Sequence, residues 1–493
     1  MGYCFKRQKK IASIFLVKTA GSEIELLPEA VHFNTLLKGF CVISRYIMQK
    51  NISKKCILIL LDGIGDRSYR QFNYQTPLQA ARTPVLDALS KNGANGLYHA
   101  ALIGQALPSE NAHLLMFGYD ITDFPGRGAL EALGAGIDIS NDDVAILSHF
   151  VSLRESGRHL MVEDNKPEAT PEETSEFIKT ISAYETGQVK ISFVPTGGIR
   201  GIIILSGDVA PYITDSDPFT TGMNMISVAP WLNYGNDNFS LNAASALNKY
   251  LSWVYQRLKD NPANRMRADK GKMPINGIVT QRSGRLKRIA PFQVRYGLKG
   301  LSIASGLVYW GISAFIGFDI EKVTDTKNPA GDLAKRLALA HKRIKDGYEF
   351  VHVHTKVADE AAHTKSPAAK KAAIEAIDAG IGLEIESIKN DPDILLVVTA
   401  DHSTPSYGPL IHSGESVPIM FYGTGVRRDN VSEFNEISAA PGALGNLRGK
   451  ELIYMILNHL DRSKLHGIMD TPVDQPYWPG VCESFDNSIK CKK

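Results

Sequence analysis

Cysteine is scarce in this 493-residue chain, and its placement supports no framework. The five cysteines (Cys4, Cys41, Cys56, Cys482 and Cys491) are odd in number, lie towards the ends and include no CxxC pair. That argues against a disulfide-stapled secreted protein and points to a reducing cytoplasm. Neither charge is in excess: 55 Lys and Arg against 52 Asp and Glu leave a formal net charge of +3. Charge therefore gives no reason to expect a nucleic acid or an anionic membrane as partner. Long apolar runs are also few. Gly300 to Phe318 carries no charge and is about long enough to span a bilayer, but four glycines and three serines interrupt it. A buried helix with its turn is the expectation there, and no membrane partner.

What is present is the composition of a soluble globular protein, 44% hydrophobic and 22% charged. The length exceeds one ordinary core, so roughly two or three domains are expected. Residues 1–47 open with a basic KRQKK and a short apolar IASIFLV. Two readings stand: a poor signal peptide without a clear cleavage site, or an extension ahead of a true start at Met48.

Cys56–Leu61 (CILILL) is a continuous apolar run, as expected for a parallel strand buried on both faces. It ends in DGIGD, which puts Asp62 at the carboxyl end of the strand, where open α/β sheets carry their chemistry. A helix is expected from Pro84, with proline at its start and glycine past its end. The pattern returns later. YEFVHVH (348–354) and ILLVVT (394–399) read as buried strands, Pro367–Lys389 as a long helix between them, and VPIMFY (417–422) as a further strand. This is α/β architecture, a mostly parallel sheet flanked by helices. From Ile139 to Asn328 the metal-type motifs disappear while strands and a helix continue. The expected organisation is therefore core residues 48–138, an inserted smaller α/β domain over 139–328, core residues 329–470 and a tail from 471. The basic piece Arg265 to Arg288 reads as a loop or surface strand.

The chemistry concentrates after the strands. Asp62, Asp359 and His363 in ADEAAH, Asp401 and His402 in VVTADHS, and His412 in LIHSGES are all metal-ligating types. Two divalent ions can hold a phosphoryl oxygen, lower the pKa of a hydroxyl and stabilise a leaving oxygen. Mixed carboxylate and imidazole sets suit Mn²⁺ or Zn²⁺ better than an all-oxygen Mg²⁺ cage. Ser109, in LPSENAHLL, precedes a helical pattern. It reads either as an N-cap or, with a metal nearby, as a nucleophile at a helix N-terminus that favours phosphate.

As a set, LLDGIGDR, TPLQAARTPVLDALSKNGANGL, SENAHLLMFGYD, GRGALEALGAG, TDSDP, GLKGLSIASGLVYWGI, KVADEAAH, TADHSTP and HSGESVPI resemble the archaeal-type cofactor-independent phosphoglycerate mutases of the alkaline phosphatase superfamily. The resemblance runs from about Lys55 to His459. It implies a phosphoserine exchange that interconverts 3-phosphoglycerate and 2-phosphoglycerate without 2,3-bisphosphoglycerate. Ser109 would be the nucleophile. Asp62, Ser109, Asp401 and His402 would hold one ion, and Asp359, His363 and His412 the other, with Mn²⁺ expected and Zn²⁺, Co²⁺ or Mg²⁺ as alternatives. Lys356, Arg200 and Arg267 would face the substrate, and His113 would either join them or be a structural histidine. The inserted domain would close over it.

Departures from the family pattern cluster in the insertion. Leu147, Gln281 and Asn261 stand where the family has two arginines and a histidine, and an Asp-Arg stretch is replaced by Met161 to Asn165. A phosphorylated carboxylic acid calls for several guanidinium groups. A second reading therefore follows, a phosphotransferase or phosphatase of the same fold acting on another small phosphorylated metabolite.

Overall fold

The computed structural model describes residues 54–463. The readings for residues 1–47 and for the tail from 471 fall outside the described residues. Along the chain the strands are β1 (Lys55–Leu61) and β2 (Ala94–His99). Then come β3 (Val144–Ser156), β4 (His159–Asp164), β5 (Ala183–Thr186), β6 (Val189–Gly197), β7 (Arg200–Ser206) and β8 (Gly277–Gly284). The last six are β9 (Gly300–Ala304), β10 (Asp319–Lys322), β11 (Phe350–Thr355), β12 (Ile394–Thr399), β13 (Val417–Tyr422) and β14 (Gly445–Arg448).

They form two sheets. The first has eight strands in the order β10-β9-β11-β1-β12-β13-β2-β14. β10, β9, β11, β1 and β12 run parallel, and only β13 is antiparallel to its neighbours. β1 lies between β11 and β12, and Cys56 to Leu61 are fully buried, as a strand covered on both faces requires. The helices Pro329–Lys345 and Pro367–Lys389 share its core through Leu337, Ile344, Ile377 and Ile381. The register sets the site. Leu60 is level with Thr399, so two residues further on Asp62 leaves the sheet beside Asp401, and the Asp62 N–H donates to Thr355 O across to β11.

The second sheet, antiparallel, contains β3 to β8 in the order β4-β3-β7-β6-β5, with β8 also on β3. The helix Asn238–Lys259 buries Leu247, Tyr250, Val254 and Leu258 against it. On the other face Ala145, Ile202 and Ile204 meet Ala129 and Ala132 of the helix Arg127–Gly134, which fastens this sheet to the first part of the chain. The contact is backbone-close. A Cβ on Gly128 would lie 2.1 Å from Ala145 O, so only glycine fits.

The expected insertion boundary at 328 does not match the sheets. The second sheet ends at Gly284, while β9 and β10 pair in the first. These elements carry none of the motifs on which that boundary was drawn. The segment Gly300 to Phe318 is a strand and then the helix Leu307–Ile316, not one helix with a turn. Close packing accounts for Gly311, where a Cβ would meet Leu130 O, and the partner helix meets the segment in the same way, with Gly134 against Leu307 O. Among the described residues no helix is long and apolar enough to cross a membrane. Arg265 to Arg288 is not one loop either, but contains most of the helix Pro262–Asp269 and all of β8.

Candidate active site

Asp62, Asp401 and His402 come together at the carboxyl edge of the first sheet, with one ligand atom from each within 4.8 Å of the others. Each carboxylate has one oxygen engaged and one turned to the site. Asp62 Oδ2 accepts from the Tyr309 hydroxyl at 2.6 Å and lies 3.0 Å from His354 Nε2. Asp401 Oδ1 accepts from Gly63 N–H at 3.2 Å. Asp62 Oδ1 and Asp401 Oδ2 are buried with no hydrogen-bond partner, and lie 3.5 and 3.1 Å from His402 Nε2. Ser109 Oγ is 2.9 Å from the same nitrogen. Ser109 begins the helix Ser109–Met116, with Pro108 at the N-cap position and no side-chain cap. Its hydroxyl thus faces His402 rather than capping the helix.

The second group is Asp359, His363 and His412. Asp359 and His363 lie one turn apart on the helix Val357–His363, with His363 Nε2 3.2 Å from Asp359 Oδ2. The His412 ring donates Nδ1–H to Leu107 O at 2.7 Å, leaving Nε2 free to face Asp359 Oδ1 at 3.6 Å. The two groups adjoin: the rings of His402 and His412 stack with centroids 3.8 Å apart.

The electrostatics call for a cation. Burial pushes the Asp62 carboxyl well up, and the charges of Asp401 and Asp359 push the same way. Burial also works against the Asp401 carboxylate, but His402 and His113 overcome it and hold Asp401 well below the usual range. His402 is pulled down by burial and raised above its ordinary value by Asp401. Paired buried carboxylates with unpartnered oxygens, next to an imidazole nitrogen, fit a divalent ion by donor type and by the charge it would neutralise. The second group offers one carboxylate and two imidazoles, a mixed donor set of the same type.

The residues expected at the substrate are not brought together in the same way. His113 is 1% exposed, and its Nδ1–H donates to Ser109 O at 2.8 Å. It packs against the rings of Tyr309, His352 and His354, and its Nδ1 lies 3.3 Å from Asp401 Oδ2, so it supports the serine and Asp401 from behind. Arg267 is buried in the insertion, where Met273 O, Glu168 O and Glu173 satisfy its guanidinium. Arg200 is exposed at the start of β7, opposite His149. Lys356 occupies the N-cap position of the helix Val357–His363, 2.7 Å from Glu360 and 3.6 Å from Asp325.

Sequence reading missed the guanidiniums that do reach the site. A cavity of about 670 Å³ opens over Ser109, Asp359, His363 and His412, and Arg127 and Arg282 line it. Arg282 belongs to β8 and Arg127 to the core helix, and they flank Glu110 at 3.2 and 3.5 Å. Gln281, beside Arg282, bonds Asp217, and Asn261 caps the helix Pro262–Asp269. Lys370 was also missed. It is fully buried, donates Nζ–H to Gly65 O and Thr404 O at 2.7 Å each, and thereby ties together the loops after β1 and β12. Its signal was available: it falls on the stripe of Ile374, Ile377, Ile381, Ile385 and Ile388, the buried face of its helix.

The architecture and site define a metalloenzyme, and a model of the metalloenzyme superfamily matches residues 54–459. A 2,3-bisphosphoglycerate-independent phosphoglycerate mutase of Methanocaldococcus jannaschii is 39% identical over 423 residues, covering 84% of this chain and 95% of the relative. One from Methanopyrus kandleri is 34% identical over 430 residues, covering 84% and 99%. Among solved structures, the PH0037 protein of Pyrococcus horikoshii aligns with a TM-score of 0.68 at 27% identity, covering 84% of this chain and 99% of that one. A cofactor-independent phosphoglycerate mutase from Thermoplasma acidophilum aligns at 0.59 and 26%, covering 83% and 100%. The chain belongs to the cofactor-independent phosphoglycerate mutase family within the metalloenzyme superfamily.

Proposed function

We propose that the chain interconverts 3-phosphoglycerate and 2-phosphoglycerate in the cytoplasm, without 2,3-bisphosphoglycerate, by passing the phosphoryl group through Ser109. The observation that carries this reading is Ser109 Oγ, 2.9 Å from His402 Nε2, on the floor of a cavity whose mouth holds two guanidiniums. Asp62, Asp401, His402 and Ser109 would hold one divalent ion and Asp359, His363 and His412 the other. Mn²⁺ suits this mixture of donors. When bound, such ions lower the pKa of the serine hydroxyl and neutralise charge on the transferring group.

The chain's own residues then account for the exchange. Ser109 Oγ attacks phosphorus, the bond to the glycerate oxygen breaks, and the phosphoryl group rests on the serine at a helix N-terminus that favours an anion. Arg127 and Arg282 retain the glycerate by its carboxylate while it turns. The other hydroxyl then attacks the phosphoserine phosphorus, the Oγ–P bond breaks, and the proton of that hydroxyl restores the Ser109 hydroxyl. Glu110 holds both guanidiniums in place between turnovers. The second sheet acts as the cap, reaching the cavity through Arg282 and keeping water from the phosphoserine.

An enolase-coupled assay with 3-phosphoglycerate and Mn²⁺ tests this, with Ser109→Ala beside the parent chain. Activity in the parent and a loss of at least about a thousandfold in the variant are expected. No activity in a folded, metal-loaded parent would overturn the reading. Leu147, Gln281 and Asn261, at positions where the family pattern has cationic residues, favour the alternative of a phosphatase or phosphotransferase with another small phosphate ester. Release of inorganic phosphate from such esters would identify it.

A further inference from the structure

We propose that Thr404 is a positioning residue whose single hydroxyl couples the two metal-binding groups. It would fix the tautomer of His402 and one oxygen of Asp359 together. The inference rests on the two-ion reading above. Thr404 is fully buried. Its backbone is held on both sides: N–H donates to Gly65 O at 2.9 Å, and O accepts from Lys370 Nζ at 2.7 Å. The hydroxyl Oγ1 lies 2.8 Å from Asp359 Oδ1 and 3.1 Å from His402 Nδ1, so it touches a ligand from each group.

One proton sets the direction of the chain. A carboxylate only accepts, so Thr404 O–H donates to Asp359 and its lone pair is left to accept from His402 Nδ1–H. That places the imidazole proton on Nδ1. The Nε2 lone pair is then presented towards Asp401 Oδ2, Asp62 Oδ1 and Ser109 Oγ, the atoms of the first group. At the other end, the hydroxyl takes one lone pair of Asp359 Oδ1 and holds the carboxylate towards His363 and His412. The space for this contact is reserved by Gly63 at φ 64°. A Cβ there would lie 2.6 Å from Thr404 Oγ1 and 2.7 Å from Asp359 Oδ1. A hydroxyl that orients ligands of both ions makes the two affinities depend on one side chain.

The test is calorimetric titration of the chelator-stripped full chain with Mn²⁺, comparing the parent, Thr404→Val and Thr404→Ser. Valine keeps the shape and removes the hydroxyl. The expected result is two ions bound by the parent, both affinities about 10–100-fold weaker in the valine variant, and recovery to near the parent in the serine variant. A general packing defect would not be rescued by serine, which lacks the methyl group. The melting midpoint of each stripped chain reports folding, and Thr404→Ala replaces valine if that variant does not fold. Unchanged affinities in a folded variant, or weakening of one ion alone, would overturn the coupling. A parent that binds fewer than two ions would instead overturn the two-ion reading on which it rests, and the two failures are thereby distinguished.

Discussion

The metal-type side chains, the floor of the site, follow strands of the first sheet directly (Asp62, Asp401, His402) or sit on a neighbouring helix or loop (Asp359, His363, His412). The two guanidiniums that line the cavity, its mouth, come instead from a core helix and from the second sheet. The floor is set by register: β1, β11 and β12 lie side by side, so the residues just past their ends converge regardless of the rest of the chain. The mouth has no such constraint. An anion is served by a guanidinium approaching from any direction, provided that another group holds it there, and Glu110 does this for Arg127 and Arg282. The chemistry of the floor is therefore tied to sequence position, and that of the mouth only to final geometry.

Two substitutions can break this comparison, and the larger effect belongs to the arginine that is not at the mouth. Arg267 is buried with Glu173 at 2.8 Å, so Arg267→Ala leaves a carboxylate and two carbonyls without their donor. A stability loss of about 3–5 kcal/mol by urea denaturation is expected, with kcat/KM of the folded fraction unchanged. Arg282 is more exposed, and its pair with Glu110 contributes little to stability, less than about 1 kcal/mol. Arg282→Ala should instead lower kcat/KM by about 10–100-fold, as loss of a charged hydrogen bond to the substrate does. If the two phenotypes were exchanged, the mouth would lie elsewhere in the second sheet.

How much was legible follows the same division. CILILL followed by DGIGD, and ILLVVT followed by ADHS, each announce a buried strand with its ligands, because a parallel strand covered on both faces has little other way to be written. Ser109 had two readings that sequence could not separate, since an N-cap and a nucleophile share one position. The structure puts Pro108 at the cap and turns the hydroxyl to His402. Residue type says nothing about burial: His113, which reads equally as a substrate contact or a structural histidine, and Arg267 both lie buried. Arg267 is satisfied by protein groups there, and His113 through one of its nitrogens. The family arginine position falls on Gln281 with Arg282 next to it on β8, and a shift of one position reverses the face of the sheet. Lys370 was read as part of a helical composition, although a lysine on a stripe of isoleucines needs buried partners and has them in Gly65 O, Thr404 O and Asp66.

Changing pH separates floor from mouth without any mutation. In the metal-free chain the raised pKa of His402 contributes stability below its ordinary value of about 6.5, and this is lost as pH rises through the folded value. The depressed pKa of Asp401 contributes stability above about 3.8, lost as pH falls towards its folded value. Asp62, raised mainly by burial, favours its protonated form and adds to the cost of raising pH. The contribution of His402, read as the difference in melting midpoint between the stripped parent and His402→Gln, should therefore be smaller at about pH 8 than at pH 6, while the buried His352 and His354, held well below their ordinary value, act in the opposite sense in both chains. Mn²⁺ must displace these protons, so its affinity should move the opposite way, strengthening by up to about tenfold per pH unit for each proton released. Titration calorimetry in buffers of different ionisation enthalpy would count those protons. A guanidinium does not lose its proton in proteins, so once the metal sites are saturated, the contribution of the mouth to KM should stay flat. An Mn²⁺ affinity independent of pH would mean that the floor holds no protons to displace, and would remove the electrostatic distinction between the two regions.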